Sequence, residues 1–264
     1  MTMILELILG LMMSLSIALL AYVKRSLSID GMIAATLLGT VIYAFGSIIV
    51  WGVLIAFFIS SSALTKLHEK TEMNQSKGRN YIQVLANGSV AAFFSILYYV
   101  FQSDVFMIAA VASIASSNAD TWASEIGALT TGKTIHIHNF RQASKGVSGA
   151  ISLLGTLASL LGALFISAVL MTIHALTFPI DMQILIPYGL IVVVCGFLGC
   201  LIDSLLGGGL QAKYKGIETG TITENKVLLN EHVIKISGFA WITNDTVNFL
   251  SALFASLISL LFFI

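Results

Sequence analysis

Residues 31–64, GMIAATLLGTVIYAFGSIIVWGVLIAFFISSSAL, form an apolar run without one charged side chain. As continuous helix the run would extend about 51 Å at 1.5 Å per residue, whereas a bilayer core of about 30 Å needs about 20 residues. It is too long for one crossing, and Gly46 sits near its middle in "YAFGSIIVWG". Whether the run crosses once or twice decides the topology of the whole chain.

The basic residues settle the count. Lys24 and Arg25 follow the first apolar segment, and Lys66, Lys70, Lys77 and Arg79 lie between 65 and 81. Lys133, Arg141 and Lys145 lie between 128 and 146, and Lys213, Lys215, Lys226 and Lys235 between 207 and 238. The short links near 103 and 180 have none. Cytoplasmic loops collect Lys and Arg. If 31–64 crosses twice, all four basic segments share one side and both uncharged links share the other; a single crossing separates the first basic segment from the rest. The candidate spans are 3–22, 31–64 crossing twice, 82–101, 105–127, 147–173, 184–206 and 239–263. The expectation is an all-α, polytopic transmembrane bundle of about eight helices in the cell membrane, forming a single domain over residues 1–264. Both termini lie outside, and 207–238 is a cytoplasmic loop that covers the bundle.

Composition agrees. Of 264 residues, 57% are hydrophobic and 10% charged, against about a quarter charged in soluble domains. A net charge of zero with no basic arm leaves no footprint for nucleic acid. The first apolar segment has neither a basic start nor a cleavage site and reads as a retained helix. Cys195 and Cys200 are spaced for neither redox nor zinc chemistry and read as packing residues.

Against this background the polar residues inside the spans stand out. Val105 to Asn118 gives only about 21 Å of helix, so the helix must continue through Asp120 and Glu125 of "NADTWASEIG". Asp203 in "GCLIDSLLGGGLQ", Asp245 in "WITNDTVNFL" and Asn87 in "KGRNYIQVLANG" fall at a similar distance from the uncharged end of their helices. A carboxylate at membrane depth costs on the order of 2.5–3.5 kcal/mol on insertion scales, so it normally faces a cavity, a partner or an ion. Convergence at one level predicts a polar site open to the cytoplasm.

Each constellation also has a plainer reading. Asp120, Ser124 and Gly127 share one helix face, and Asn118, Thr121 and Glu125 an adjoining one. Hard oxygen ligands of this kind suit Mg²⁺ with a phosphate substrate; the alternative is a solvated helix end. Asp203 lies on a stripe with Gly199 and Gly207, a pattern for close packing or for close approach of a ligand. Gly207 to Gly209 would end that helix and offer amides to an anion. Asn244 and Asn248 flank Asp245 at a helix start, a place for an anion or merely a cap. Arg79, Gln83 and Asn87 share a face, where Arg79 is either a phosphate fork or a membrane anchor. Ser144, Lys145 and Gly146 open a turn suited to phosphate, although the spacing is not that of a Walker A loop. His136 and His138 read as surface residues.

Five strings, "RNYIQVLANG", "SNADTWASEIG", "SKGVSGAISLLG", "LIDSLLGGGLQ" and "WITNDTVNFL", together resemble a widespread integral membrane family. It includes the plant phytyl-phosphate kinase and bacterial, archaeal and human transmembrane relatives. The resemblance covers roughly Gly31 to the C-terminus. It implies an enzyme that converts a polyprenyl or phytyl monophosphate to the diphosphate, with CTP or ATP as co-substrate and Mg²⁺ as cofactor. On that reading Asp120, Glu125 and Asp203 hold Mg²⁺, with Asp245 beside them. Arg79, Asn87, Asn118, Thr121, Ser144, Lys145, Gly146, Gln211, Asn244 and Asn248 meet the isoprenoid lipid phosphate and the nucleotide, and membrane lipids surround the whole. The competing classes are a secondary transporter and a CTP-dependent cytidylyltransferase acting on a lipid phosphate.

Overall fold

A computed structural model describes residues 2–72, 78–179, 181–224, 226–228 and 231–264. Lys77, one of the expected loop cations, lies outside them. The helices are α1 (Met3–Val23), α2 (Ile29–Glu72), α3 (Tyr81–Phe101), α4 (Asp104–Gly127), α5 (Leu153–Thr177), α6 (Met182–Gly209) and α7 (Asn244–Leu260), the last prolonged by a 3₁₀ turn. Six of them, all but α4, are long and apolar enough to cross a membrane.

The run around Gly46 is not one rod. Ser47 has φ 71° and ψ 170° inside α2, a backbone state that ends an α-helix. The two arms fold back on each other. Tyr43 meets Trp51 edge-on at 5.9 Å, and both ends of α2 arrive at the same place. At the start, the Tyr81 amide donates to Asp30 Oδ2 at 3.2 Å, and Ser28 and Ser26 pair with Arg79 through backbone bonds of 3.1 and 3.0 Å. Near the finish, Lys66 Nζ donates to the Lys24 carbonyl at 2.6 Å. Among the described residues the chain therefore has eight helical segments. The segments rich in Lys and Arg meet at one end of the bundle, and Phe45 packs on Tyr99 at 5.3 Å toward the other.

α4 is the central pillar, packed by α2, α3, α5, α6 and α7. Every residue from Met107 to Ala119 is buried. Alanines and serines dominate this stretch, so five neighbours can approach its backbone closely. Its fully buried Asn118 is matched on both sides: it accepts from Ser60 Oγ at 3.0 Å and donates to the Gly162 carbonyl at 2.8 Å. α1 is the opposite case, with Ile4, Ile8, Leu11, Met12, Leu15 and Leu19 exposed as a lipid-facing surface would be.

Two of the basic loops are not plain coil. β1 (Thr134–His136) pairs antiparallel with β2 (Ala150–Ser152), so α5 begins at Leu153, later than the expected 147. The segment 207–238 completes α6 to Gly209, then folds β3 (Lys213–Gly216), β4 (Ile222–Thr223) and β5 (Val233–Ser237) into a sheet of order β4-β3-β5. α7 starts at Asn244 instead of 239, because Thr243 caps it in a reciprocal box with Thr246.

Asn118→Ala removes a bridge between α2, α4 and α5, taking from the Gly162 carbonyl its side-chain donor and leaving the Ser60 hydroxyl only the Phe57 carbonyl of its own helix. The expected loss is about 1–2 kcal/mol, seen as a lower melting temperature of the detergent-solubilised protein; an unchanged melting temperature would refute the strut.

Candidate functional site

At the end of the bundle that gathers the basic loops, a cavity of about 330 Å³ opens between α4, α5 and α6. α4 supplies Asp120, Ser124 and Gly127 to its wall, the face that their spacing by four and three residues defines. α5 adds Thr156 and Ser159, and α6 adds Asp203, Ser204 and Gly207. The turn from Lys145 to Gly149 closes one side, while Glu224 and Asn244 reach in from the loop before α7 and from its first residue.

Asp203 is 9% exposed and its Oδ2 accepts from Ser251 Oγ of α7 at 3.0 Å. Asp120 and Asp203, 83 positions apart in sequence, thus border the same space. On α7, Asn244, Asn248 and Ser251 recur at i, i+4 and i+7 and share a face. Asn248 Oδ1 is buried there without a hydrogen-bond partner. Asp245 occupies the first turn of α7, half-buried, and is not among the residues bordering the cavity.

The glycine-rich stretches meet each other. Gly207, Gly208 and Gly209 stay helical, so they do not release amides to an anion as the sequence suggests. Instead they let the 145–149 turn approach. Gly149 has φ +83°, and a Cβ there would lie 2.4 Å from Gly208 Cα. His138, exposed as expected, contacts the Leu205 carbonyl through Nε2 at 2.8 Å. Lys213 is 8% exposed; its Nζ donates to the carbonyls of Ser148 at 3.0 Å and Gly208 at 3.2 Å. Burial pulls its ammonium below the ordinary lysine range, and the Glu224 carboxylate pushes it back up. Glu224 accepts from the Ser148 amide at 3.1 Å, from Ser148 Oγ, and from Gln211 Nε2 at 2.5 Å.

Several expected site residues lie elsewhere. Glu125 points to the other side of α4, where its oxygens meet Thr65 Oγ1 and His68 Nδ1, each at 2.6 Å. It does not join Asp120 and Asp203 around one ion, because five positions on a helix turn a side chain through about 500°, well off the starting face. Asn118 is the interhelical strut already described, and Thr121 Oγ1 donates to the Ser117 carbonyl of its own helix at 2.9 Å. Arg79, Gln83 and Asn87 border a separate, largely apolar cavity of about 70 Å³ between α1, α2 and α3. There the Arg79 guanidinium lies 5.9 Å from the ring centres of Phe57 and of Phe58. Ser144 is exposed beside the turn, and Lys145, which does line the cavity, donates its Nζ to the Thr130 carbonyl.

The expected set is thus divided. Asp120, Asp203, Lys145, Gly146 and Asn244 border one cavity, and Gln211 joins them through Glu224. Sequence reasoning missed Glu224, an acid in a mixed-charge loop with no motif around it. Lys213 stands out in the sequence only as one of the basic loop residues. Thr134, whose buried Oγ1 has no partner, gave no signal either. Among the described residues no group of three or more His, Cys, Asp or Glu side chains converges as a closed metal cage.

The fold and this cavity define a helical membrane protein with a polar chamber at one end, lined by the carboxylates of Asp120, Asp203 and Glu224. Residues 12–256 match the integral membrane protein family DUF92, and the chain belongs to that family. Protein PGR of Arabidopsis thaliana is 29% identical over 280 residues, spanning 96% of this chain and 95% of that protein. Protein VTE6, chloroplastic, of the same plant is 30% identical over 253 residues, spanning 89% of this chain and 65% of its own length. An uncharacterized membrane protein of Methanocaldococcus jannaschii, MJ0933, is 29% identical over 221 residues, spanning 82% of this chain and 83% of that one. No solved structure matches.

The contact between the turn and α6 gives a paired test. Gly149→Ala meets both a left-handed backbone and the Gly208 backbone, and should destabilise by roughly 1–3 kcal/mol or more. Gly146→Ala shares the left-handed backbone, φ +76°, but meets nothing within 4 Å, so its loss of melting temperature should be the smaller of the two.

Proposed function

We propose that this protein is a membrane-embedded kinase that phosphorylates an isoprenoid monophosphate to the diphosphate, using CTP or ATP and Mg²⁺. The observation that carries the reading is the shared cavity of Asp120 and Asp203, closed on one side by the glycine-bearing 145–149 turn with its lysine. The similarity to VTE6 and the family membership support a role related to prenyl-phosphate kinases.

The donor set suits Mg²⁺. Mg²⁺ is typically held by one or two carboxylates, with water and phosphate oxygens completing its shell. Asp120 and Asp203 are two carboxylates facing one chamber, surrounded by the hydroxyls of Ser204, Thr156 and Ser159. They would hold the ion, whose charge would offset the oxygens of the phosphoryl groups. A third acid is not required, which agrees with Glu125 facing α2.

Phosphoryl transfer asks a protein mainly for positioning and charge neutralisation. A phosphate oxygen of the lipid attacks the γ-phosphorus of the nucleotide. The new P–O bond forms as the bond to the β-phosphate oxygen breaks, and the nucleoside diphosphate leaves. A phosphomonoester dianion is already nucleophilic, so no side chain need remove a proton. Ser251 holds Asp203 in orientation. Asn244 at the start of α7 presents amide groups to anionic oxygens.

The basic loops gathered at the cavity end support a cytoplasmic orientation by the positive-inside rule. With eight crossings both termini then lie outside, and nucleotide enters from the cytoplasm.

Label transfer from γ-³²P nucleotide to a phytyl or polyprenyl monophosphate tests the proposal with purified protein. Asp120→Asn and Asp203→Asn should each lower transfer by about 100-fold or more, while Glu125→Gln should retain most of it. Absence of transfer with every prenyl phosphate and both nucleotides would exclude the kinase, and a CDP-lipid product with pyrophosphate release would replace it with a cytidylyltransferase.

A further inference from the structure

The Glu224 carboxylate occupies a peculiar place. One oxygen takes the backbone N–H and the hydroxyl of Ser148, and the other takes the amide of Gln211 at 2.5 Å. Ser148 lies between Gly146 and Gly149, both left-handed at φ +76° and +83°, in a turn of the kind whose amides make anion-binding concavities. Beneath the turn, buried Lys213 holds the Ser148 carbonyl at 3.0 Å. Gln211 is 2% exposed. Every group contacting the carboxylate donates: an amide, a hydroxyl and a carboxamide N–H, with an ammonium fixed to the same residue. A phosphate oxygen accepts from the same donors, and charge-assisted bonds of this type are the strong ones.

We propose that the Ser148–Gln211–Lys213 corner is a seat for the terminal phosphates of the nucleotide, and that Glu224 fills it as an internal stand-in that withdraws when polyphosphate enters. This deepens the kinase reading and rests on it for the identity of the ligand. Ser148 of this corner, Glu224 and the acids Asp120 and Asp203 border one chamber, so a phosphate chain would run from the Ser148 end to an acidic, metal-holding wall.

The carrier of Glu224 suits withdrawal. It follows β4, a two-residue strand that pairs with β3 through Tyr214 with Thr223 and Lys215 with Ile222. No transmembrane helix has to shift for this loop to move, and short edge pairings belong to the least stable parts of a fold. A polyphosphate and an ionised glutamate cannot share the seat, since like charges at contact repel strongly. The carboxylate therefore sets a threshold for occupancy: in its absence the donors stay in place but open to a competing anion.

Calorimetric titration of the purified protein with inorganic triphosphate tests this without turnover. Glu224→Gln keeps the size of the side chain and removes its charge; it should bind triphosphate about tenfold more tightly than the unaltered protein, one charge-assisted bond being worth at least that factor. Adding Lys213→Met to Glu224→Gln should abolish the gain, with size-exclusion and melting profiles reporting that the double variant is folded. Equal or weaker triphosphate binding by Glu224→Gln overturns the inference, as does persistence of the gain in the folded double variant. If no prenyl phosphate is ever phosphorylated but Glu224→Gln still tightens triphosphate binding, the seat stands and only the kinase reading falls. If transfer occurs and triphosphate binding ignores residue 224, the reverse holds.

Discussion

A charged group within an apolar bundle must be surrounded by protein dipoles, water or ions, because lipid offers no compensation. This constraint arranges everything around α4. The helix is small-residued and wholly buried from Met107 to Ala119, which allows α2, α3, α5, α6 and α7 to converge on it. At its cavity end the same helix becomes polar, and three of its polar side chains find separate solutions. Asn118 is matched by a hydroxyl and a carbonyl, Glu125 by Thr65 and His68, and Asp120 by an open chamber.

The two faces of α4 divide the molecule chemically. Toward α5 and α6 lies a chamber lined by acids, hydroxyls and a glycine-bearing turn. Toward α1, α2 and α3 lies a smaller apolar cavity with a guanidinium at its edge. A pillar that is fully packed at mid-height keeps them apart. The division explains why residues adjacent in sequence, such as Asp120 and Thr121, serve different purposes. Their side chains diverge by about 100° around one axis.

The loops at the cavity end are built parts of the site. β1 and β2 bring the 145–149 turn onto the glycines of α6, and the β3–β5 sheet brings Lys213 and Glu224 beneath and beside it. Glycine is required where the two backbones nearly touch, at Gly149 over Gly208. Mixed-charge loops thereby supply the donors that the apolar helices lack.

The sequence by itself determined the membrane character, the folding back of 31–64 and the common end of the basic loops. Those follow from length, hydropathy and charge, which are properties of single segments. It also placed Asp120, Ser124 and Gly127 on one face, since helical periodicity is local. The exact break at Ser47, the strands inside the loops, and the separation of Glu125 and Arg79 from Asp203 were decided by tertiary structure. So was the arrival of Glu224 at Ser148, across 76 positions of chain. Depth along a helix can be counted from sequence, but the azimuth at which one helix meets another depends on packing between surfaces that no single segment specifies.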